Sequence, residues 1–160
     1  MMKPMAALMF CLMVCCGCAS AGGGQGGAAF TMDVESFGEK LYKELQYRDQ
    51  LEELDPVIVY TLLGIAPEDV AAQKNYFSSG ATAEEIIVFK AVDQKAADAL
   101  KLTIENRIEY QKEIYASYAP EEVNYLKGAV LEQKGEYVVY CVAEDSAAAK
   151  SMIEKALKNP

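Results

Sequence analysis

Three pairs of adjacent carboxylates are the residues whose type and spacing first suggest chemistry. The pairs are Glu84 with Glu85, Glu121 with Glu122, and Glu144 with Asp145. Two carboxylates that flank a glycosidic bond can hydrolyse it. Adjacent acids on a strand point to opposite faces, however, and Glu121 and Asp145 stand where a helix N-terminus favours negative charge. We therefore expect solvent-exposed or helix-capping roles for these acids.

The candidate nucleophiles lack the partners that would activate them. Cys141 needs a base or a nearby positive charge, but the chain has no histidine and this segment is rich in valine. We expect a buried core cysteine. The segment 78–80 (Ser-Ser-Gly) lacks the surrounding glycines of a nucleophile elbow and predicts a turn. Glycine-rich phosphate loops, metal-ligand spacings and cofactor fingerprints are missing, so we expect no catalytic residue, no metal and no cofactor.

Tyrosine is the one unusual residue type, with ten copies in the chain. Tyr110, Tyr115, Tyr118 and Tyr125 lie in or beside the segment Tyr-Ala-Ser-Tyr-Ala-Pro. Tyrosine offers a flat surface and a polar tip at low entropic cost, which suits contact with a sugar or a protein. These four form a candidate ligand surface. The alternative is that they edge the sheet and cover the core.

The net charge of the chain disfavours two classes of partner, nucleic acids and anionic lipid head groups. The formal net charge is −9 at pH 7. Nucleic-acid binding requires clustered Lys and Arg, so we expect no nucleic-acid partner. No stretch near the N-terminus collects basic residues, which also disfavours docking on anionic lipid head groups.

The N-terminus is typical of an export signal. Lys3 precedes the apolar run 5–14, which at ten residues is too short to span a bilayer. The following Cys15-Cys16-Gly17-Cys18-Ala19-Ser20 resembles a bacterial lipobox, although the position three before the modified cysteine is usually leucine and here is Cys15. The resemblance implies a diacylglycerol on Cys18 and removal of residues 1–17. A plain secretory signal and a metal site formed by the N-terminal cysteines remain as alternatives.

The expected organisation is therefore a signal peptide (1–17), a lipidated cysteine with a glycine-rich tether (18–29), and a single domain (30–160). The tether segment has no side chain able to build a core, and its composition predicts a flexible coil. Fatty acyl chains such as palmitate would hold the domain to the cell membrane on the extracytoplasmic side.

Hydrophobic periodicity within the domain predicts an α+β fold. Helices are expected after Asp33, after Asp55-Pro56 and ending at Gly64, after Asp93 and ending at Ala119-Pro120, and after Asp145. Two hairpins are expected, one from 70–78 and 84–92, the other from 128–134 and 136–143. Because both faces of 136–143 are apolar, this strand should be central. The order α-α-β-β-α-β-β-α predicts a four-stranded, mainly antiparallel sheet packed with helices.

Four segments carry a resemblance to a known family. They are Leu63-Gly64-Ile65-Ala66-Pro67-Glu68-Asp69-Val70, Thr82-Ala83-Glu84-Glu85-Ile86-Ile87-Val88-Phe89-Lys90, Tyr118-Ala119-Pro120-Glu121-Glu122 and Lys134-Gly135-Glu136-Tyr137-Val138. Over about residues 57–147 the chain resembles small bacterial lipoproteins catalogued as domain of unknown function DUF4358. The resemblance implies a signal peptide with a lipobox and a domain of this order, and it supplies no activity.

These observations favour a membrane-anchored, extracytoplasmic lipoprotein that is a non-enzymatic binding or envelope-assembly module. Its expected partners are membrane lipid, through the anchor, and an envelope protein or glycan. The alternatives are a carboxylate-based envelope hydrolase acting on glycans and a solute-binding lipoprotein, although solute-binding lipoproteins usually need two lobes. The sequence assigns no oligomeric state.

Overall fold

The computed structural model describes residues 30–158. The expected signal peptide, the lipidation site Cys18 and the tether therefore lie outside the described residues. The elements, in chain order, are α1 (Val34–Glu44), α2 (Pro56–Leu63), a 3₁₀ turn (Pro67–Asp69), β1 (Val70–Phe77), β2 (Glu85–Ala91), α3 (Gln94–Tyr118), α4 (Glu122–Lys127), β3 (Val130–Lys134), β4 (Tyr137–Val142) and α5 (Ser146–Lys158). No helix in this range is long and apolar enough to cross a membrane.

The four strands form one antiparallel sheet in the order β1-β2-β4-β3. The two hairpins meet along β2 and β4, which pair from Glu85 with Val142 to Lys90 with Tyr137. The predicted α+β class and the central position of the last strand are confirmed. The inner strands are apolar on both faces because helices cover both sides of the sheet.

Two hydrophobic cores lie on opposite faces of the sheet. One core packs α1 and α5 against side chains such as Ile86 and Val139. The other packs α3, with α2 and α4, against side chains such as Phe89 and Tyr140. This alternation follows from the two-residue period of a strand. The fold is therefore a single sheet between two layers of helices.

The helices begin at the predicted caps. The side chains of Asp33, Asp55, Asp93 and Asp145 each accept a hydrogen bond from a backbone N–H in the first turn. This satisfies donors that the helix itself leaves unpaired. Gly64 ends α2 in the left-handed conformation, with a φ of 66°.

Two features differ from the sequence prediction. The segment after Pro120 forms the short helix α4, which the apolar pattern did not reveal because only Glu122 and Leu126 are buried in it. Tyr118, for which one interpretation was a position over the core, is 58% exposed. It is the last residue of α3.

Gly38 sets the distance between α1 and β1. A Cβ at this position would overlap the Cβ and Cγ atoms of Lys74 on the neighbouring strand. The Lys74 side chain cannot easily move, because it is buried and its Nζ donates to Glu35 at 2.8 Å and to Glu53 at 2.7 Å. The glycine that weakens the helix in isolation is therefore required for packing.

We predict that Gly38→Ala lowers the free energy of unfolding by about 1–3 kcal/mol, because overpacking exceeds the gain in helix propensity. Chemical denaturation measures the change. In a Lys74→Ala background, which removes the Cγ atom but keeps the Cβ atom, the cost of Gly38→Ala should become smaller. An equal cost in both backgrounds would contradict the packing explanation.

Candidate functional site

Two arginine–carboxylate clusters lie near the N-terminal end of β2. The Arg48 cluster consists of Arg48, Glu84, Glu122 and Tyr125, and the Arg107 cluster consists of Glu85, Arg107 and Gln111. The three glutamates are each at most 2% exposed. The expectation that these acids are solvated or cap helices is therefore wrong for all three. Burial forces each carboxylate to find a cationic partner.

In the Arg48 cluster one guanidinium binds two carboxylates. Nε of Arg48 donates to Oε1 of Glu84 at 3.2 Å, and Nη1 and Nη2 donate to the two oxygens of Glu122 at 2.7 and 2.8 Å. The guanidinium carbon stands 3.6 Å from the centroid of the Tyr125 ring. The paired fork of hydrogen bonds is the strong geometry for arginine and carboxylate.

The same carboxylates also accept backbone hydrogen bonds from two loops. Glu84 accepts from the amides of Arg48 and Asp49 at 2.9 Å, and Glu122 accepts from the amide of Ala83 at 2.8 Å. The hydrogen bonds from Arg48 lower the pKa of Glu122 below its ordinary value. The cluster therefore fixes the loop after α1 and the β1–β2 loop onto α4.

The Arg107 cluster is simpler. Nε of Arg107 donates to both oxygens of Glu85, at 2.9 and 3.1 Å, and the side-chain amide of Gln111 donates to Oε2 at 3.3 Å. Burial raises the pKa of Glu85, and Arg107 opposes that rise. Neither Nη1 nor Nη2 of Arg107 donates to an acceptor among the residues that the structure describes. All three side-chain nitrogens of Arg48 therefore donate to a carboxylate, whereas only Nε of Arg107 does.

Arg107 lines a groove of about 560 Å³ between α2 and α3. The groove is lined by Leu62, Leu63, Thr103, Asn106, Arg107 and Tyr110. It therefore combines an apolar wall from α2 with polar groups from α3. Its size is that of an ordinary ligand cleft.

The α2 helix next to this groove is apolar and largely uncovered. Val57, Ile58 and Leu62 are 68%, 53% and 48% exposed, and only Val59 is buried. On α3, Tyr110 and Ile114 are exposed one turn apart. We name the exposed side chains of Val57, Ile58, Leu62, Tyr110 and Ile114 the α2–α3 patch.

The four tyrosines of the candidate ligand surface lie in different places and do not form one surface. Tyr110 lines the groove, and Tyr125 lies beneath the Arg48 guanidinium. Tyr115 is buried and donates to the carbonyl of Thr82, and exposed Tyr118 donates to the carbonyl of Gly80. Of the four, only Tyr110 lines the groove.

The candidate nucleophiles Cys141, Ser78 and Ser79 lie in the core and in a turn. Cys141 is buried beside Tyr47, whose Oη is 3.9 Å from its sulfur, and burial raises the pKa of the thiol to about 12. The expected core cysteine is confirmed. Ser78 and Ser79 lie in the predicted turn, where Ser79 donates to Asp49. Among the described residues no group of acids and cysteines could hold a metal ion.

The sequence analysis missed both arginines as site residues. A signal was present, because Arg48 and Arg107 are the only arginines in the chain, against thirteen lysines. Arginine is preferred over lysine where a partly buried carboxylate must be bound in a fixed geometry. The acids were identified as candidates, but their partners lie 36 and 22 residues away in the chain.

Comparison with known proteins gives a family and no activity. The family model described as Domain of unknown function (DUF4358) matches residues 43–143, more than half of the chain, and spans both arginine clusters. No curated protein and no solved structure matches the chain.

Replacing Glu122 by glutamine should lower the free energy of unfolding by about 1–3 kcal/mol at pH 7, because it weakens charged hydrogen bonds to Arg48. The pKa of Glu122 is lowered in the folded state, so the carboxylate's contribution is present above its ordinary value of 4.5 and is lost as pH falls through the folded value. The difference between wild type and variant should shrink in acid.

Denaturation curves from pH 7 to below 4.5 measure this effect. Glu121→Gln is the matched control, since Glu121 is exposed and its side chain makes no cap hydrogen bond. A pH-independent difference for Glu122→Gln would contradict the charged interaction.

Native Cys141 should resist alkylation by iodoacetamide at pH 8 and react once the chain is denatured, because burial excludes the reagent and keeps the thiol protonated. Mass spectrometry of the peptide that contains Cys141 measures the modified fraction. Rapid native labelling at this position would show that the strand opens or that the thiol is accessible.

Proposed function

We propose that this chain, which belongs to the DUF4358 family, is a non-enzymatic binding module of the cell envelope. In this proposal a lipid on Cys18 anchors the chain to the membrane on its extracytoplasmic side. The folded domain then binds an envelope protein through the α2–α3 patch. The family description gives no activity, so the proposal rests on the geometry of the domain.

The observation that carries the proposal is the exposure of α2. Its sequence, Pro-Val-Ile-Val-Tyr-Thr-Leu-Leu, is that of a buried helix, yet Val57 and Ile58 are more than half exposed. A helix that is apolar on all sides is normally covered. Contiguous exposed apolar side chains mark interaction sites in folded proteins.

The position of Phe30, where the described chain begins, also supports the proposal. Phe30 packs edge-on against Tyr137, with ring centroids 5.2 Å apart, and is a partly buried residue that contacts the core on the α1–α5 face. The patch lies on the opposite face of the sheet, with α3. An anchor on the N-terminal side of Phe30 would leave the patch turned away from its point of attachment.

The ion pairs favour binding over glycan hydrolysis. Hydrolysis by two carboxylates needs one that is free to take up or release a proton beside the substrate. Glu84, Glu85 and Glu122 instead each bond to an arginine. The carboxylate-based hydrolase is therefore the weaker of the two proposals.

The double variant Ile58→Ser and Leu62→Ser should abolish capture of a partner in crosslinking experiments on cells that express the full chain with a C-terminal tag. It removes apolar area from the patch without touching the core. Leu102→Ser is the matched control, because Leu102 is an exposed leucine of α3 (56%) that does not line the groove.

Mass spectrometry of the captured proteins measures the result. A partner that is recovered with wild type and with Leu102→Ser, and lost with the double variant, is expected. Identical recovery with all three chains, or no specific partner with any of them, would contradict the proposed function.

A further inference from the structure

The two arginine clusters repeat one arrangement and differ in how far it is completed. In each cluster a buried glutamate of the sequence pair Glu84-Glu85 takes the Nε–H of one arginine. In the Arg48 cluster the terminal nitrogens are then bound by the second carboxylate, Glu122. In the Arg107 cluster no described residue accepts from them.

The donors that Arg107 leaves unused are positioned for a ligand. A guanidinium has five N–H donors and no acceptor, and Glu85 takes only the one on Nε. The arginine side chain is 16% exposed, and it lines the α2–α3 groove. Its orientation is held by Glu85, which Gln111 also binds. The guanidinium is thus fixed before any ligand arrives, which lowers the entropic cost of binding.

We infer that the groove binds a carboxylate on Nη1 and Nη2 of Arg107, in the manner in which Glu122 binds Arg48. Thr103 and Asn106 supply further polar groups in the same groove, and Leu62, Leu63 and Tyr110 supply an apolar wall. The ligand class is therefore a carboxylate flanked by apolar groups. No covalent step is involved.

The occupant is an acidic side chain of the protein partner, and this identification rests on the proposed function. Val57 and Ile58 are exposed on α2 but do not line the groove, so a small acid confined to the groove would leave them uncovered. A partner protein covers both. The resulting group of two carboxylates and one guanidinium has the same charge as the Arg48 cluster, which the fold already accommodates.

Binding of 4-phenylbutyrate and of its uncharged analogue 4-phenylbutyramide tests the carboxylate preference. The full chain, labelled with ¹⁵N-arginine and held in zwitterionic detergent, gives two Nε–H signals because it has two arginines. The acid should shift the Arg107 signal and bind on the order of tenfold or more tightly than the amide, since charged hydrogen bonds are the stronger ones. The Arg48 signal should stay in place.

Arg107→Lys keeps a positive charge beside Glu85, so the fold survives, but it removes the planar fork. This variant should lose most of the preference for the acid and should capture less of the partner. Lys101→Gln is the control, because it removes a cation of α3 that does not line the groove. Tyr110→Ala should weaken both probes, because it removes part of the apolar wall.

Equal affinity for acid and amide, or a preference unchanged by Arg107→Lys, would overturn the carboxylate site. A clear acid preference with capture that survives Arg107→Lys would overturn the identification of the occupant as the partner's acidic side chain. Both results can be distinguished from failure of the proposed function. That failure would be the absence of any partner capture that depends on Ile58 and Leu62.

Discussion

The burial of two neighbouring carboxylates at the beginning of β2 is the constraint on which the rest of the structure depends. Glu84 and Glu85 point in different directions because successive residues of an extended chain alternate. Each must be paired, since an isolated charge inside a protein costs several kcal/mol. Arg48 comes to Glu84 from the loop after α1, and Arg107 comes to Glu85 from α3. The ion pairs therefore connect the sheet to distant parts of the chain.

Much of this fold could be predicted from local chemistry. Asp33, Asp55, Asp93 and Asp145 cap helices as expected, and the doubly apolar segment of β4 lies inside the sheet. These features depend on neighbours in sequence or on a simple period. Predicting the Arg48 cluster requires knowing that residues 48, 84 and 122 meet in space, and no local pattern carries that information. A pair of adjacent glutamates predicts a solvent-exposed site when the arginines that bind them are distant in sequence.

In our proposal the Arg48 cluster contributes to stability and the Arg107 cluster to recognition. The Arg48 cluster joins the loop after α1, the β1–β2 loop and α4 through charged and backbone hydrogen bonds. The Arg107 cluster contributes a guanidinium to the lining of the α2–α3 groove, whose α2 wall is apolar. A rigid guanidinium beside exposed aliphatic side chains is a common composition for a protein-binding surface, where arginine and aromatic residues dominate the energetics.

We claim that a second carboxylate binds the terminal nitrogens of Arg48 but not those of Arg107. ¹⁵N-arginine NMR of the full chain without added ligand tests this difference. The Nη–H protons of Arg48 should exchange slowly and give separate signals, because Glu122 holds them in a two-bond fork. Those of Arg107 should exchange with water faster, because no described residue accepts hydrogen bonds from Nη1 or Nη2 although Glu85 holds the guanidinium in place. Equal behaviour of the two guanidinium groups, whether both slow or both fast, would contradict the account.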